Sequence, residues 1–290
     1  MKRKAAAMKR EDINIRDPYI LLYDGKYYMC GTRATTCWGP ADGFDGYVSD
    51  DLENWDGPFE LFHRPDGFPA DQNYWAPEFH VYQGSFYLFA TFGISEKRHK
   101  GTMILKAAAP LGPYHLHSNG FITPDDWNCL DGTFYVSASG DPYMVFSHEW
   151  VDIGDGEICS VRLSPDLTHP ISAPVTLFSA SQGTPWVRSI TNRQWDGPIY
   201  VTDGPFLFRK SSKELLLLWA SFGEHGYAEA VARSDNGEID GHWTIDKTPL
   251  FADNGGHGMI FRDQSGQAYL VLHQPNETPL EHPVLIPLSL

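Results

Sequence analysis

The sequence predicts an all-β protein folded as a five-bladed β-propeller. One composite phrase, an acidic or polar anchor followed by a strand, a turn and an aromatic-rich strand, recurs five times. Helical periodicity is nearly absent, and the 27 Gly and 21 Pro interrupt the chain in a way that suits short strands and turns. The five copies cover residues 17–32, 75–92, 131–148, 203–222 and 257–273.

Each copy is predicted to form a hairpin. In the first, the tight-turn signal Asp24-Gly25 joins Tyr19–Tyr23 to Lys26–Cys30. A third strand-like segment and a Trp-containing or Tyr-containing stretch follow most hairpins, which predicts four-stranded blades. The copies begin 54 to 72 residues apart, near the length of a propeller blade with loop insertions. Closure removes exposed sheet edges, so we expect Pro283–Leu290 to pair with an N-terminal strand and close the ring.

Bulk composition bounds the organisation of the chain and its partners. The copies are spread over all 290 residues, which predicts one domain spanning residues 1–290, with residues 1–12 disordered or tag-like. The basic N-terminus lacks the apolar core of a signal peptide, and no run of about 18 apolar residues occurs, which favours a cytoplasmic protein. The net charge of −15 disfavours binding to nucleic acids and to anionic membranes. The oligomeric state is left open.

Several common chemistries have no sequence signature. The four cysteines follow neither a metal-binding nor a redox spacing, so buried free thiols are expected. A phosphate-binding Gly-rich loop and a Gly-x-Ser-x-Gly nucleophile elbow are both missing. In contrast, three copies open with an aspartate, namely Asp17, Asp131 and Asp203. Radial repeats would bring these carboxylates together, and paired carboxylates are what hydrolysis of a glycosidic bond requires.

Four segments resemble the signature segments of glycoside hydrolase family 43. They are residues 16–32, 73–91, 202–210 and 254–261, and the resemblance extends over about residues 14–275. Members of this family are five-bladed β-propellers that act mostly on glycans containing arabinose or xylose. The resemblance implies that Asp17 is the general base, that Asp203 stands at the general-acid position, and that Asp131 raises the pKa of the acid and orients it.

Asp203 departs from the family pattern, in which the acid is usually a glutamate followed by Gly-Pro. Aspartate is one methylene shorter, and a misplacement of about 1 Å can reduce a rate about 10²-fold. Three outcomes stay open: Asp203 is the acid after a compensating shift of its blade, Glu149 donates the proton instead, or acid catalysis is impaired. In the third case the protein binds sugar or cleaves only substrates with good leaving groups.

The resemblance also implies binding residues. Trp75 is expected to stack on the sugar, with Glu78 beside it, and Arg233 to hold the site carboxylates or sugar hydroxyls. Trp38 is expected to shape the rim of the pocket or to pack between blades. His257 is expected near the propeller axis, where a structural calcium or another cation can bind, whereas no cofactor is required for the chemistry.

Together these observations predict an exo-acting, inverting glycosidase that acts on an oligosaccharide. The released unit is expected to be α-L-arabinofuranosyl or β-D-xylosyl. The alternative is a non-catalytic sugar-binding propeller. This alternative is suggested by Asp203, whose side chain is shorter than that of the usual glutamate.

Overall fold

Five antiparallel β-sheets form the protein, as the sequence predicts. The computed structural model describes residues 7–192 and 195–289. Blade one contains β1 (Met8–Lys9), β2 (Ile15–Tyr23), β3 (Lys26–Arg33), β4 (Gly43–Ser49) and β5 (Asn54–His63). Blade two contains β6 (Gln72–Tyr82), β7 (Ser85–Ile94), β8 (His99–Ala107) and β9 (His115–Leu116). Blade three contains β10 (Cys129–Val136), β11 (Pro142–His148), β12 (Glu157–Arg162) and β13 (Val175–Ser179).

The last two blades follow in the same order. Blade four contains β14 (Asp203–Ser211), β15 (Glu214–Gly223), β16 (Gly226–Ser234) and β17 (Trp243–Ile245). Blade five contains β18 (Gly256–Arg262), β19 (Ala268–Gln274) and β20 (His282–Leu288). The helical elements are 3-10 turns at Arg10–Asp12 and Ala34–Thr36 and a single α-helical turn, α1 (Trp150–Ile153). None of the described helices therefore has the length of a membrane span.

Packing between blades closes the ring. The first strands β2, β6, β10, β14 and β18 lie innermost, and each packs against strands of the preceding blade. The ring is complete because β18 and β19 of blade five pack against β2 of blade one. Apolar side chains fill the spaces between blades, and Trp55 and Trp219 are fully buried there.

The chain ends differ from expectation at β20 and at residues 8–12. β20 pairs with β19 as the third strand of blade five and does not pair with an N-terminal strand. The ends of the chain meet instead through side chains, since the Asn14 amide donates to the carbonyl of Glu281. Residues 8–12 are also ordered: β1 pairs with Asn54 and Trp55 at the outer edge of blade one. Residues 1–6 lie outside the described part of the chain.

The innermost strands share one distortion that points side chains at the propeller axis. In each strand the pairing register shifts near its start, and a residue with a positive φ lies within the shift; β6 has a further shift, which contains Asn73. The equivalent residues are Asp17, Ala76, Asp131, Gly204 and His257, with φ between 44° and 59°. Asp203 therefore precedes the position that is equivalent to Asp17 and Asp131. The expectation that three aspartates occupy equivalent positions is correct for only two of them.

A second fivefold feature lies at the end of the second strand of each blade. The residues there are Thr32, Thr91, Ser147, Ser221 and His273, all of them buried. Where the contact is formed, the side chain accepts the backbone N–H of the positive-φ residue in the next blade: Thr32 from Ala76, Thr91 from Asp131 and His273 from Asp17. These bonds fix the distorted segments that carry the site residues.

Candidate active site

A single cavity of about 490 Å³ opens at the propeller axis. Its lining includes seven residues that the sequence singled out: Asp17, Trp38, Trp75, Asp131, Glu149, Asp203 and His257. The three aspartates thus face a common space although they come from blades one, three and four. The geometry shows the predicted convergence of distant carboxylates, and their catalytic roles stay a prediction.

Asp17 is buried and held by groups that favour its ionised form. The Thr32 hydroxyl donates to its Oδ2 at 2.6 Å, and His257 Nδ1 lies 3.2 Å from its Oδ1. Burial opposes ionisation, but the positive charges of His257 and Arg16 outweigh it and hold the pKa of Asp17 below its usual range. Asp17 is therefore a carboxylate at neutral pH and can accept a proton.

A network behind Asp17 fixes its position. His273 Nδ1 accepts the backbone N–H of Asp17 at 3.2 Å, which leaves the proton of the neutral ring on Nε2, facing Asn276 Oδ1 at 3.2 Å. The Arg16 guanidinium donates to the same Asn276 oxygen and forms a 2.5 Å ion pair with Glu281. The segment after β19 thus locks the strand that carries Asp17.

Asp131 contacts the segments of both other aspartates. Its Oδ2 accepts the backbone N–H of Gly204 at 3.0 Å, next to Asp203, and lies 3.8 Å from His257 Nδ1. Burial and the negative charge of Asp17 raise the pKa of Asp131 well above its usual value, although the Gly204 N–H acts in the opposite direction. Asp131 is therefore placed both to orient the Asp203 segment and to disfavour the ionisation of its neighbours.

Asp203 has a proton affinity suited to a general acid. Burial and the neighbouring Asp131 raise the pKa of Asp203 to about 7, against the opposite influence of His257 and Tyr227. Tyr227 donates its hydroxyl to Asp203 Oδ2 at 2.9 Å. A large part of the Asp203 population therefore carries a proton near neutral pH, while Asp17 does not.

Glu149, the alternative acid, lines the same cavity but has a cationic partner. It directly follows β11, and Lys100 Nζ lies 2.5 Å from its Oε2. Burial raises the pKa of Glu149, and Lys100 opposes this rise by stabilising the carboxylate. The ion pair distinguishes Glu149 from Asp203, whose side-chain hydrogen bond comes from a neutral hydroxyl.

Two tryptophans form an aromatic wall of the cavity. Trp38 and Trp75 pack edge to face with their ring centroids 5.7 Å apart. Trp38 Nε1 donates to the Thr278 hydroxyl and Trp75 Nε1 donates to the Cys37 carbonyl, so both rings are fixed. Trp38 is 66% exposed, which leaves an indole face free to stack on a sugar.

His257 lies at the axis, but it faces carboxylates. Its Nδ1 is the atom that approaches both Asp17 and Asp131. Within residues 7–192 and 195–289, no three His, Cys, Asp or Glu side chains are arranged to hold a metal ion. The expected calcium or other cation near His257 stays a prediction, and no step of the proposed chemistry requires one.

Two of the predicted binding residues lie elsewhere. Arg233 is on β16, the third strand of its blade, where its exposed guanidinium pairs with Asp246 and Glu214. Glu78 is buried two residues after Ala76 on β6 and contacts His80 Nε2 at 2.9 Å, outside the cavity lining. Both residues lie outside the cavity lining, because distance from the axis and depth along it decide access to the cavity.

Other lining residues were not anticipated from the sequence. Tyr227 comes from the start of β16, Arg16 from the position before Asp17, and Asn276 and Thr278 from the segment after β19. The position of Arg16 directly before Asp17, the first residue of the first copy, could have indicated that it lines the cavity. Asn276 and Thr278 lie outside the repeated phrases, so the repeat pattern did not indicate them.

Comparisons with known proteins agree with this fold. The family described as Glycosyl hydrolases family 43 matches residues 12–286. The chain is 35% identical to an endo-arabinase from Bacteroides thetaiotaomicron of known structure, with a TM-score of 0.90 over 99% of this chain and 98% of that one. It is 24% identical to an extracellular exo-α-(1→5)-L-arabinofuranosidase from Cellvibrio japonicus, over 91% of this chain and 79% of that protein.

A second curated relative is an α-L-arabinofuranosidase from Humicola insolens, 24% identical over 72% of this chain and 45% of that protein. The expected cytoplasmic location is contradicted by the similarity to the C. japonicus protein, which is extracellular. The family match spans most of the chain and includes all three aspartates that face the cavity. The chain therefore belongs to glycosyl hydrolase family 43.

Proposed function

We propose that the protein is an inverting glycosidase that releases terminal α-L-arabinofuranosyl units from arabinose-containing oligosaccharides. The observation that carries the proposal is a shared cavity in which Asp17 has a lowered pKa and Asp203 a pKa of about 7. Two carboxyl groups with opposite protonation are the requirement for acid and base catalysis at one glycosidic bond. The arabinose-directed activities of the relatives support the choice of sugar.

In this mechanism Asp17 removes a proton from the attacking water. The Thr32 hydroxyl occupies its Oδ2, so Oδ1 is the oxygen that faces His257 and the cavity. The new bond forms between the water oxygen and the anomeric carbon. Arg16 favours the ionised form of Asp17 before the reaction, and His273 accepts the backbone N–H of Asp17 and so keeps its strand in place.

Asp203 gives its proton to the leaving glycosidic oxygen. It lies one position before Gly204, which is the positive-φ residue of β14. Asp131 receives the Gly204 N–H and so fixes the backbone that carries the acid. Loss of the proton leaves Asp203 ionised beside Asp131, and bulk water reprotonates it for the next cycle.

Internal cleavage of arabinan is a second candidate. A neighbouring cavity of about 450 Å³ shares Trp150 with the catalytic cavity, which gives a longer glycan room on that side. The similarity to the B. thetaiotaomicron endo-arabinase also favours this mode. An exo-enzyme releases arabinose alone from linear arabinan, whereas an endo-enzyme first produces a ladder of oligosaccharides and lowers the viscosity rapidly.

A panel of nitrophenyl glycosides tests the sugar. We expect turnover of the α-L-arabinofuranoside, and turnover of the β-D-xyloside alone would contradict the proposal. Product analysis on linear arabino-oligosaccharides then separates the two modes of action. If the protein binds these glycans but turns over none of the substrates, the alternative of a sugar-binding propeller replaces the catalytic proposal.

A further inference from the structure

A second cavity lies beside the catalytic one. It has a volume of about 450 Å³ and is lined by Arg98, His99 and Lys100 from the turn between β7 and β8 and the start of β8, together with Trp150 and Trp195. The two cavities share Trp150. Lys100 lines the second cavity and Glu149 lines the catalytic one, so their ion pair stands at the boundary.

The charge of this cavity contrasts with that of the chain. The chain has a net charge of −15, yet the lining of the second cavity contains two cationic side chains and no carboxylate. The other polar side chains of the lining are the imidazole of His99 and the amides of Gln72, Asn73 and Asn128. The catalytic cavity has the opposite character, with four carboxylates and one arginine in its lining.

Two of the carboxylates near the second cavity, Asp71 and Asp152, already have partners, whereas Asp125 acts on the lining residue His99 without a side-chain partner in the described part of the chain. Asp71 accepts hydrogen bonds from the backbone N–H and the hydroxyl of Ser95, and Asp152 accepts from the backbone and side chain of Asn128. Lys100 is engaged by Glu149. In the described part of the chain, no side-chain hydrogen bond or ion pair engages the guanidinium of Arg98. Arg98 is therefore the cation available to a ligand.

These groups correspond to the parts of an acidic sugar. Indole faces such as those of Trp150 and Trp195 stack on sugar rings, and side-chain amides exchange hydrogen bonds with hydroxyl groups. A guanidinium binds a carboxylate through two parallel hydrogen bonds. A neutral sugar would use the tryptophans and the amides but would leave the arginine without a partner.

We propose that the second cavity binds a uronic acid residue of the glycan, linked to the unit in the catalytic cavity, and that Arg98 recognises its carboxylate. The proposal rests on the proposed function, because it places the arabinofuranosyl unit in the catalytic cavity. Arg98 becomes the residue that selects acidic over neutral glycans. Because Arg98 is exposed, the selectivity decreases as salt screens the contact.

The test uses two disaccharides that differ only in one carboxylate. Methyl glycosides of arabinofuranosyl-galactose and arabinofuranosyl-galacturonic acid are prepared with a sulfur linkage that resists hydrolysis, and their binding is measured by calorimetry at low and high salt. We expect the uronate to bind about tenfold more tightly at low salt, as a charge-assisted hydrogen-bond pair at an exposed site allows. Equal affinity of the wild-type protein for both disaccharides would overturn the proposal.

Two variants locate the effect. Arg98→Gln is expected to reduce the affinity ratio to about one, whereas Lys97→Gln, which removes the same charge from the neighbouring residue outside the lining, is expected to preserve it. A ratio that persists in Arg98→Gln contradicts the assignment. Turnover of the nitrophenyl arabinofuranoside is measured in parallel. Turnover without a uronate preference rejects only the second-cavity proposal, and a uronate preference without turnover rejects only the proposed function.

Discussion

Removal of the Tyr227 hydroxyl should shift the alkaline limb of the pH-rate profile. Tyr227 donates this hydroxyl to Asp203 Oδ2 at 2.9 Å, and the bond lowers the pKa of Asp203. Tyr227→Phe keeps the ring that stacks on His273 and loses only the donor. Because Asp203 must be protonated to act as the acid, activity is present below its pKa and is lost as the pH rises through it.

The size of the shift follows from the strength of the bond. A hydrogen bond to a charged group contributes about 1.5 kcal/mol or more. One pKa unit corresponds to about 1.4 kcal/mol, so the pKa of Asp203 should rise by about one unit. The alkaline limb of kcat/KM is therefore expected near pH 7 in the wild-type enzyme, where the pKa of Asp203 is about 7, and about one unit higher in Tyr227→Phe.

The assay is kcat/KM for an arabinofuranosyl disaccharide between pH 4 and 10, since this parameter reports the free enzyme. Tyr269→Phe, which removes a hydroxyl from β19 outside the cavity lining, serves as the control. An alkaline limb that stays in place in Tyr227→Phe and moves upward in Lys100→Met would refute the reasoning. That result would identify Glu149 as the acid, because Lys100 lowers its pKa.

Three further predictions concern the other aspartates and the product. Asp17→Asn should reduce kcat/KM about 10³-fold on natural and nitrophenyl substrates alike, because both need an activated water; a loss confined to natural substrates would contradict its role as the base. NMR of the first-formed sugar should show the anomer opposite to that of the substrate, whereas retention would imply a nucleophilic carboxylate. Asp131→Asn should raise the free energy of unfolding at pH 7 by about 1 kcal/mol, as measured by urea denaturation. The pKa of Asp131 is raised in the folded state, so its contribution to stability is full at pH below about 4 and is lost as the pH rises toward the folded pKa; a variant that is less stable at pH 7 would contradict this.

The repeated phrases predicted the blades because each copy carries its own turn signal and aromatic second strand. The sequence did not reveal which strand β20 would pair with. Covering an exposed sheet edge is favourable whether the partner is β19 or an N-terminal strand. The sequence also did not predict that Asp203 lies one residue before the position equivalent to Asp17 and Asp131. The distortion of β14 places the positive φ at Gly204. A glycine tolerates that conformation without strain, so the acid was free to occupy the preceding position.

The convergence of Asp17, Asp131 and Asp203 was predictable because repetition around an axis brings the starts of the innermost strands together. Arg233 was misplaced because a motif match gives no distance from the axis, and β16 is the third strand outward. Asn276 and Thr278 were missed because they belong to an irregular segment, whose conformation depends on tertiary contacts such as the Arg16–Glu281 ion pair. Tyr227 was missed because its contacts with Asp203 and with His273 of blade five depend on how these two blades pack together.

The assignment of the acid is tested most directly by its dependence on the leaving group. The ratio of kcat/KM for an arabinofuranosyl disaccharide to kcat/KM for the nitrophenyl arabinofuranoside is measured in Asp203→Asn and in Glu149→Gln. Asp203→Asn is expected to lower this ratio by about 10² or more, because nitrophenolate leaves without protonation, whereas Glu149→Gln is expected to preserve it. A ratio that falls in Glu149→Gln and not in Asp203→Asn would contradict the account.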